Sequence, residues 1–153
     1  PDEDEIIRRL MLEEQAGADI LKIAVMAHSP EDALAVMSAT AKMRHYHSAR
    51  PMLTMAMGRA GVLTRITGEG FGSDMTFASV GGKASAPGQI PAEDCLRVLE
   101  TLHKAMNRKA PLPPAGLRPP PSPGGAGPSP SIRRTNVLLF HQPTTHHKFR
   151  NLL

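Results

Sequence analysis

The sequence predicts an α/β protein, a parallel sheet covered by helices. Three observations carry that prediction. Apolar runs over residues 20–26, 51–57 and 74–80 have the length and composition of strands. Amphipathic stretches with recognisable start signals alternate with them. The links between the two kinds of element are short, and strand–helix alternation with short links builds parallel sheets. The resulting order is α-β-α-β-(short α)-β-α. Three strands are too few to close a barrel, and they leave at least one apolar edge that is unstable when bare.

Residues 2–15 open the chain as a helix. The acids between Asp2 and Glu5 suit the positive end of a helix dipole, Pro1 suits a first turn, and Ile6, Ile7, Leu10 and Met11 recur at helical spacing. Ala16 to Asp19 end it. Ile20, Leu21, Ile23, Ala24, Val25 and Met26 then form a near-continuous apolar run that reads as a strand buried on both faces, with Lys22 inside it. A second helix starts at Ser29-Pro30-Glu31-Asp32, where Ser29 caps, Pro30 fits the first position and Asp32 completes a capping box. It runs to about Arg44, and His45, Tyr46 and His47 read as surface and turn residues at its exit.

The second strand spans Pro51 to Met57, Gly58-Arg59-Ala60-Gly61 interrupts it, and Val62 to Ile66 begin a short helix. The glycine-rich Thr67 to Ser73 reads as tight turns, since its spacing matches neither standard nucleotide-binding fingerprint. A third strand, Asp74 to Val80, leads into a long polar loop over 81–89. The last helix starts at Pro91 and reaches about Met106. Leu96, Leu99, Leu102 and Met106 are its expected buried stripe, with Cys95 and Val98 alongside.

Charge divides the chain in two. Residues 1–106 hold all 14 acidic residues and 11 of the 18 basic ones, whereas residues 107–153 hold 7 basic residues and no acid. The formal net charge of +4 therefore describes the tail and not a basic surface on the body, so nucleic acid is not the expected partner. One cysteine excludes an internal disulfide framework and fits a reducing, cytoplasmic setting. No apolar run approaches membrane-spanning length, and the acidic start lacks the features of a secretory signal. Beginning at Pro1, inside what reads as a helix start, the chain reads as a fragment. Residues 111–130 contain nine prolines and read as an extended, disordered linker. Beyond them lies one short apolar run, Val137-Leu138-Leu139-Phe140, and three histidines, His141, His146 and His147, without the carboxylates or cysteines of a metal site. The expected division is a folded part, 1–106, and a Pro-rich basic tail, 107–153, that is non-catalytic and foreign to the folded part.

The chemistry gathers at one end of the sheet. Lys22 lies on the first strand, Arg65 after the second, and Ser85 with Gln89 after the third. In a parallel α/β fold, the loops after the strands share the face where ligands bind. An arginine fork suits a carboxylate, serine and glutamine add neutral hydrogen bonds, and a lysine amine beside them points to imine chemistry on a keto acid. Each residue has an ordinary alternative. Lys22 is able to snorkel to an edge or pair with a carboxylate, Arg65 is able to pair with Glu69 four positions on if the segment is helical, and Ser85 and Gln89 suit an ordinary polar loop. Cys95 reads as helix packing, and Met26, Met52, Met55 and Met57 as soft core filler.

Four segments resemble the type I 3-dehydroquinate dehydratases. They are Ala18-Asp19-Ile20-Leu21-Lys22-Ile23-Ala24-Val25-Met26, Met55 through Arg65, Gly68-Glu69-Gly70-Phe71-Gly72-Ser73, and Lys83-Ala84-Ser85-Ala86-Pro87-Gly88-Gln89-Ile90. They come in the family's order and nearly its spacing, across residues 1–106. The resemblance implies a (β/α)8 barrel, of which this chain would hold a C-terminal part of about three strands, and a homodimer for the complete domain. It implies a cofactor-free and metal-free lyase that dehydrates 3-dehydroquinate to 3-dehydroshikimate in the shikimate pathway of aromatic amino acid biosynthesis. On that resemblance Lys22 forms the Schiff base, Arg65, Ser85 and Gln89 hold the substrate carboxylate and ring, and Met57 lines the pocket. The family's acid–base histidine would fall on the strand before that of Lys22, ahead of Pro1, and His28 does not match it. The expectation is therefore a chain inactive by itself. Two other readings stand beside it: a Schiff-base aldolase or lyase on another keto acid, and a non-catalytic fragment that binds a partner through its Pro-rich tail.

Overall fold

The structure, a computed structural model, describes residues 1–108 and 136–140. Its elements are α1 (Glu3–Gln15), β1 (Leu21–Met26), α2 (Pro30–Lys42) with a π-helical turn (Met43–His47), β2 (Met52–Met57), a 3-10 turn (Arg59–Gly61), α3 (Thr64–Phe71), β3 (Met75–Ser79), α4 (Ala92–Met106) and β4 (Asn136–Phe140). The expected alternation is present, as part of an α/β barrel. Among the described residues no helix is long and apolar enough to cross a membrane.

Local chemistry explains the ends of these elements. Asp2 caps α1 by accepting from the Glu5 N–H at 2.9 Å, and Glu3, Asp4 and Glu5 occupy its first turn. Pro30 opens α2, and the Asp32 carboxylate turns back to accept from the backbone N–H groups of His28 (2.7 Å) and Ser29 (3.1 Å). Those donors hold the Asp32 carboxyl below its ordinary range, His28 contributing most. The glycine-rich stretch forms helix α3 where turns were expected. Gly68 lets the helix approach the next segment, because an added Cβ would stand 3.0 Å from the Ser73 side chain. Gly72 ends it in the left-handed region at φ 98°.

β1 and β2 pair in parallel, with Lys22 opposite Leu53, Ala24 opposite Met55 and Met26 opposite Met57. Leu21, Ile23, Val25, Met52 and Ala56 join Ile6, Leu10, Val36, Ala39 and Met43 in one apolar cluster, so that face of the sheet is covered by α1 and α2. The other face is open along β1 only: Leu53 and Met55, on that face of β2, are buried. Lys22, Ala24 and Met26 alternate as exposed residues along β1, which corrects the expectation of a strand buried on both faces. A period-2 strand with one covered face fits a sheet whose concave side waits for further layers. Met26, 41% exposed, is accordingly no core filler, whereas Met52 and Met55 are buried.

Between β2 and the segment leading into β3, one backbone bond and two side-chain bonds stand in place of a ladder. Asp74 donates its N–H to the Met52 carbonyl (2.7 Å), the Asp74 carboxylate accepts from the Met52 N–H (2.8 Å), and Ser73 Oγ accepts from the Thr54 N–H (3.2 Å). Arg44 fastens the same corner by donating to the carbonyls of Gly72 (2.9 Å) and Arg50 (3.0 Å) and pairing with Asp74.

Two further expectations change. Leu96 (42% exposed) and Val98 (37%) lie outside the buried stripe of α4, which runs through Cys95 and Leu99. The run Val137-Leu138-Leu139-Phe140 belongs to a fourth strand, β4, parallel to β3 with Thr76 opposite Val137. The expected disorder of the Pro-rich linker falls on residues outside those described.

Candidate active site

Lys22 projects from β1 onto the open concave face, and its Nζ lies 5.6 Å from the centroid of the Phe77 ring on β3. An ammonium over an aromatic face is attracted by the ring quadrupole. The lysine is exposed, so the expectation of a lysine inside a strand buried on both faces is not met within these residues.

Arg65 is the opposite case. It is 1% exposed, the largest side chain buried to that degree. Its Nη2 donates to the Pro87 carbonyl (3.0 Å), its Nη1 donates to the Phe77 carbonyl (3.5 Å) and lies 3.3 Å from Met55 Sδ, and its Nε has no partner. Among the described residues, no carboxylate pairs with it. Burial pulls this guanidinium down from its ordinary value, with Cys95 acting weakly the other way. A buried cation that meets only carbonyls and a thioether, with its own Nε unbonded, keeps donor capacity for an anion. The alternative pairing with Glu69 does not form, although α3 is helical there. Glu69, with its side chain 2% exposed, turns instead to His103 of α4.

The loop after β3 closes over the same end of the sheet. Gly58, just past β2, donates its N–H to the Pro87 carbonyl (3.1 Å), and Gly88 (φ 80°) approaches so closely that an added Cβ would lie 2.6 Å from the Gly58 oxygen. Within the loop, the Ser85 N–H and Oγ both donate to Gln89 Oε1, at 2.7 and 3.1 Å. Ser85 and Gln89 therefore satisfy each other at the surface and do not reach Arg65. Met57, half-buried, ends β2 opposite Met26.

Phe77 joins the parts: its ring lies under the lysine and its carbonyl receives the arginine. Sequence reasoning passed over Phe77 and read Met55 only as core filler. The only available signal was that Phe77 has the period-2 parity that puts it on the concave side of β3. Cys95 is a free thiol buried against Ala78 and Leu99, and burial pushes it up from its ordinary value. It is packing, as its helical position suggested. Among the described residues, no three His, Cys, Asp or Glu side chains gather to hold a metal ion. A groove of about 1070 Å³ lies at the other end of the strands, where Arg44, Tyr46, Ser48, Phe71 and Asp74 line it, remote from this chemistry.

The sequence profile described as Type I 3-dehydroquinase matches residues 1–106. The chain belongs to the type I 3-dehydroquinase family. It is 45% identical over 104 residues to the 3-dehydroquinate dehydratase of Alkaliphilus oremlandii and 47% identical over 105 residues to that of Salmonella paratyphi B. These alignments cover 68% and 69% of this chain but 40% and 41% of the relatives. Among solved structures, the Geobacillus kaustophilus 3-dehydroquinate dehydratase superposes with a TM-score of 0.65 at 45% identity, over 71% of this chain and 41% of that one. The type I 3-dehydroquinate dehydratase of Clostridium difficile, solved with covalently modified comenic acid, gives 0.64 at 42% identity, over 69% and 41%. The chain thus spans about two fifths of the length of the 3-dehydroquinases it matches.

Proposed function

We propose that this chain carries the Schiff-base portion, the C-terminal part of the domain, of an enzyme that dehydrates 3-dehydroquinate to 3-dehydroshikimate. The observation that carries the reading is Arg65, a buried guanidinium that among the described residues has an orphaned Nε and no carboxylate, joined through Phe77 to the Lys22 amine.

The reaction follows from those groups. The deprotonated Lys22 Nζ attacks the substrate ketone carbon, and the resulting carbinolamine loses water to give a protonated imine. The imine draws electron density from the neighbouring carbon, so a base removes a proton there and leaves an enamine. The enamine expels the β-hydroxyl, which leaves as water after protonation, and hydrolysis of the remaining imine returns the amine and releases the unsaturated ketone. Over the cycle one water is lost. Arg65 holds the substrate carboxylate by charge-assisted bonds. Met57 and Met26 offer apolar walls beside the reacting ring. Ser85 and Gln89 reach the substrate only by exchanging their mutual hydrogen bonds for bonds to it.

Two requirements are unmet by the described residues. A base must face the imine, and the concave face must be covered so that water does not solvate the amine and the charges. In this reading the remainder of the domain supplies both, and the completed enzyme is a homodimer. Loss of the base alone lowers the rate by about 10²–10⁴. The test is incubation with 3-dehydroquinate and borohydride, followed by peptide mapping. The chain alone is expected to give no turnover, and addition of the complementary part of the domain is expected to produce a reduced adduct on Lys22. An adduct on another lysine, or rapid turnover by the chain alone, overturns the reading.

A further inference from the structure

The described strands form two parallel pairs, β1 with β2 and β3 with β4. Among the described residues no strand pairs with the outer edge of β1, while that of β3 is occupied by β4. β4 begins 30 residues beyond the end of the family match at residue 106, so it is not one of the matched strands. It nevertheless runs parallel to β3, as β2 does to β1, which is the orientation of every strand in a closed parallel barrel. A closed barrel has no edge, so in a complete family domain both outer edges pair with strands from the stretch that this chain does not span.

The fit of β4 is good but imperfect. Asn136 donates its N–H to the Asp74 carbonyl at 2.7 Å, and Val137 is 7% exposed in a cluster with Ala78, Cys95 and Leu99. Opposite Val137, however, Thr76 is 3% exposed and its Oγ1 has no hydrogen-bond partner. A valine offers that buried hydroxyl nothing, so β4 covers the edge without satisfying it.

We propose that β4 is a stand-in strand. It shields the β3 edge in place of the strand that a complete 3-dehydroquinase domain would put there, and it must leave before that remainder docks. The proposal rests on the family assignment and the strand register, not on the chemistry of Lys22, and its test reads exchange and binding and not activity.

The probe is the segment of the Geobacillus kaustophilus relative that this chain does not match, titrated into the full chain. Val137→Glu places a charge in the Ala78–Cys95–Leu99 cluster and is expected to release β4. Exchange of the Thr76–Ser79 amides should accelerate about tenfold or more while β1 and β2 stay protected, and affinity for the probe should rise about tenfold. Thr76→Val removes the orphaned hydroxyl, tightens β4 and should weaken probe binding. Unchanged exchange of β3 in Val137→Glu overturns the proposal, as does equal affinity of wild type and Val137→Glu, or no association with any form. Should Val137→Glu fail to fold, Thr76→Val still decides it, because unchanged or stronger probe binding by that variant contradicts a competing β4.

Discussion

At the scale of single residues, Arg65 sets function against stability. A buried cation without a counter-charge is costly, and a well-packed apolar replacement is often neutral or stabilising. Arg65→Met is therefore expected to lower the urea midpoint by the equivalent of no more than about 1 kcal/mol, or to raise it, while weakening binding of the carboxylate substrate by at least about tenfold in the completed domain. A midpoint drop of several kcal/mol would mean that the bonds to Pro87 and Phe77, not an absent anion, explain its burial. Glu69 and His103 make the converse case. His103→Ala leaves the buried Glu69 side chain without this hydrogen-bond partner, and urea unfolding should show a loss of about 1–3 kcal/mol. The sequence singled out Arg65 because an arginine's chemistry is local, and the structure adds that its guanidinium is buried. It did not show that Glu69 prefers His103, since that choice depends on where α4 lies against α3.

At the scale of elements, start signals were readable and faces were not. The capping of α2 follows from four adjacent residues and appears as expected. Asp32 has its carboxyl held low by the His28 and Ser29 N–H groups. Its contribution is thus present above its ordinary value of about 3.9 and is lost as pH falls through its lower folded value. The stability difference between wild type and Asp32→Asn should shrink as the pH of urea melts is lowered from about 7 to about 2; a difference independent of pH would contradict this. The close approach of the 3-10 turn to β2 is equally specific, since a Cβ on Gly61 would stand 2.3 Å from the Ala56 carbonyl oxygen. Gly61→Ala should cost about 3 kcal/mol or more in urea melts, because backbone has to move. The β1 misreading has a different origin. An apolar run cannot reveal whether both its faces are covered when the second covering layer is not among the described residues. Glycine content misled at α3 for a related reason: Gly68 serves a helix-to-segment contact, not a turn.

At the scale of the whole molecule, the alternation of apolar runs with amphipathic stretches marked the α/β architecture, and four motif segments of several consecutive residues marked the family. The fourth strand escaped the sequence reading: Val137 to Phe140 is short, and its partner β3 is distant along the chain. The whole account rests on the Lys22 amine and the Arg65 guanidinium gripping one molecule across the concave face. The most direct measurement is the concentration dependence of borohydride trapping at Lys22 in the completed domain, for wild type and Arg65→Met, with 3-dehydroquinate and with the matching ketone that lacks the carboxylate. The account predicts that the substitution raises the half-saturating concentration of the keto acid by about tenfold or more and leaves that of the uncharged ketone unchanged. Equal effects on both ligands, or none on either, would contradict it.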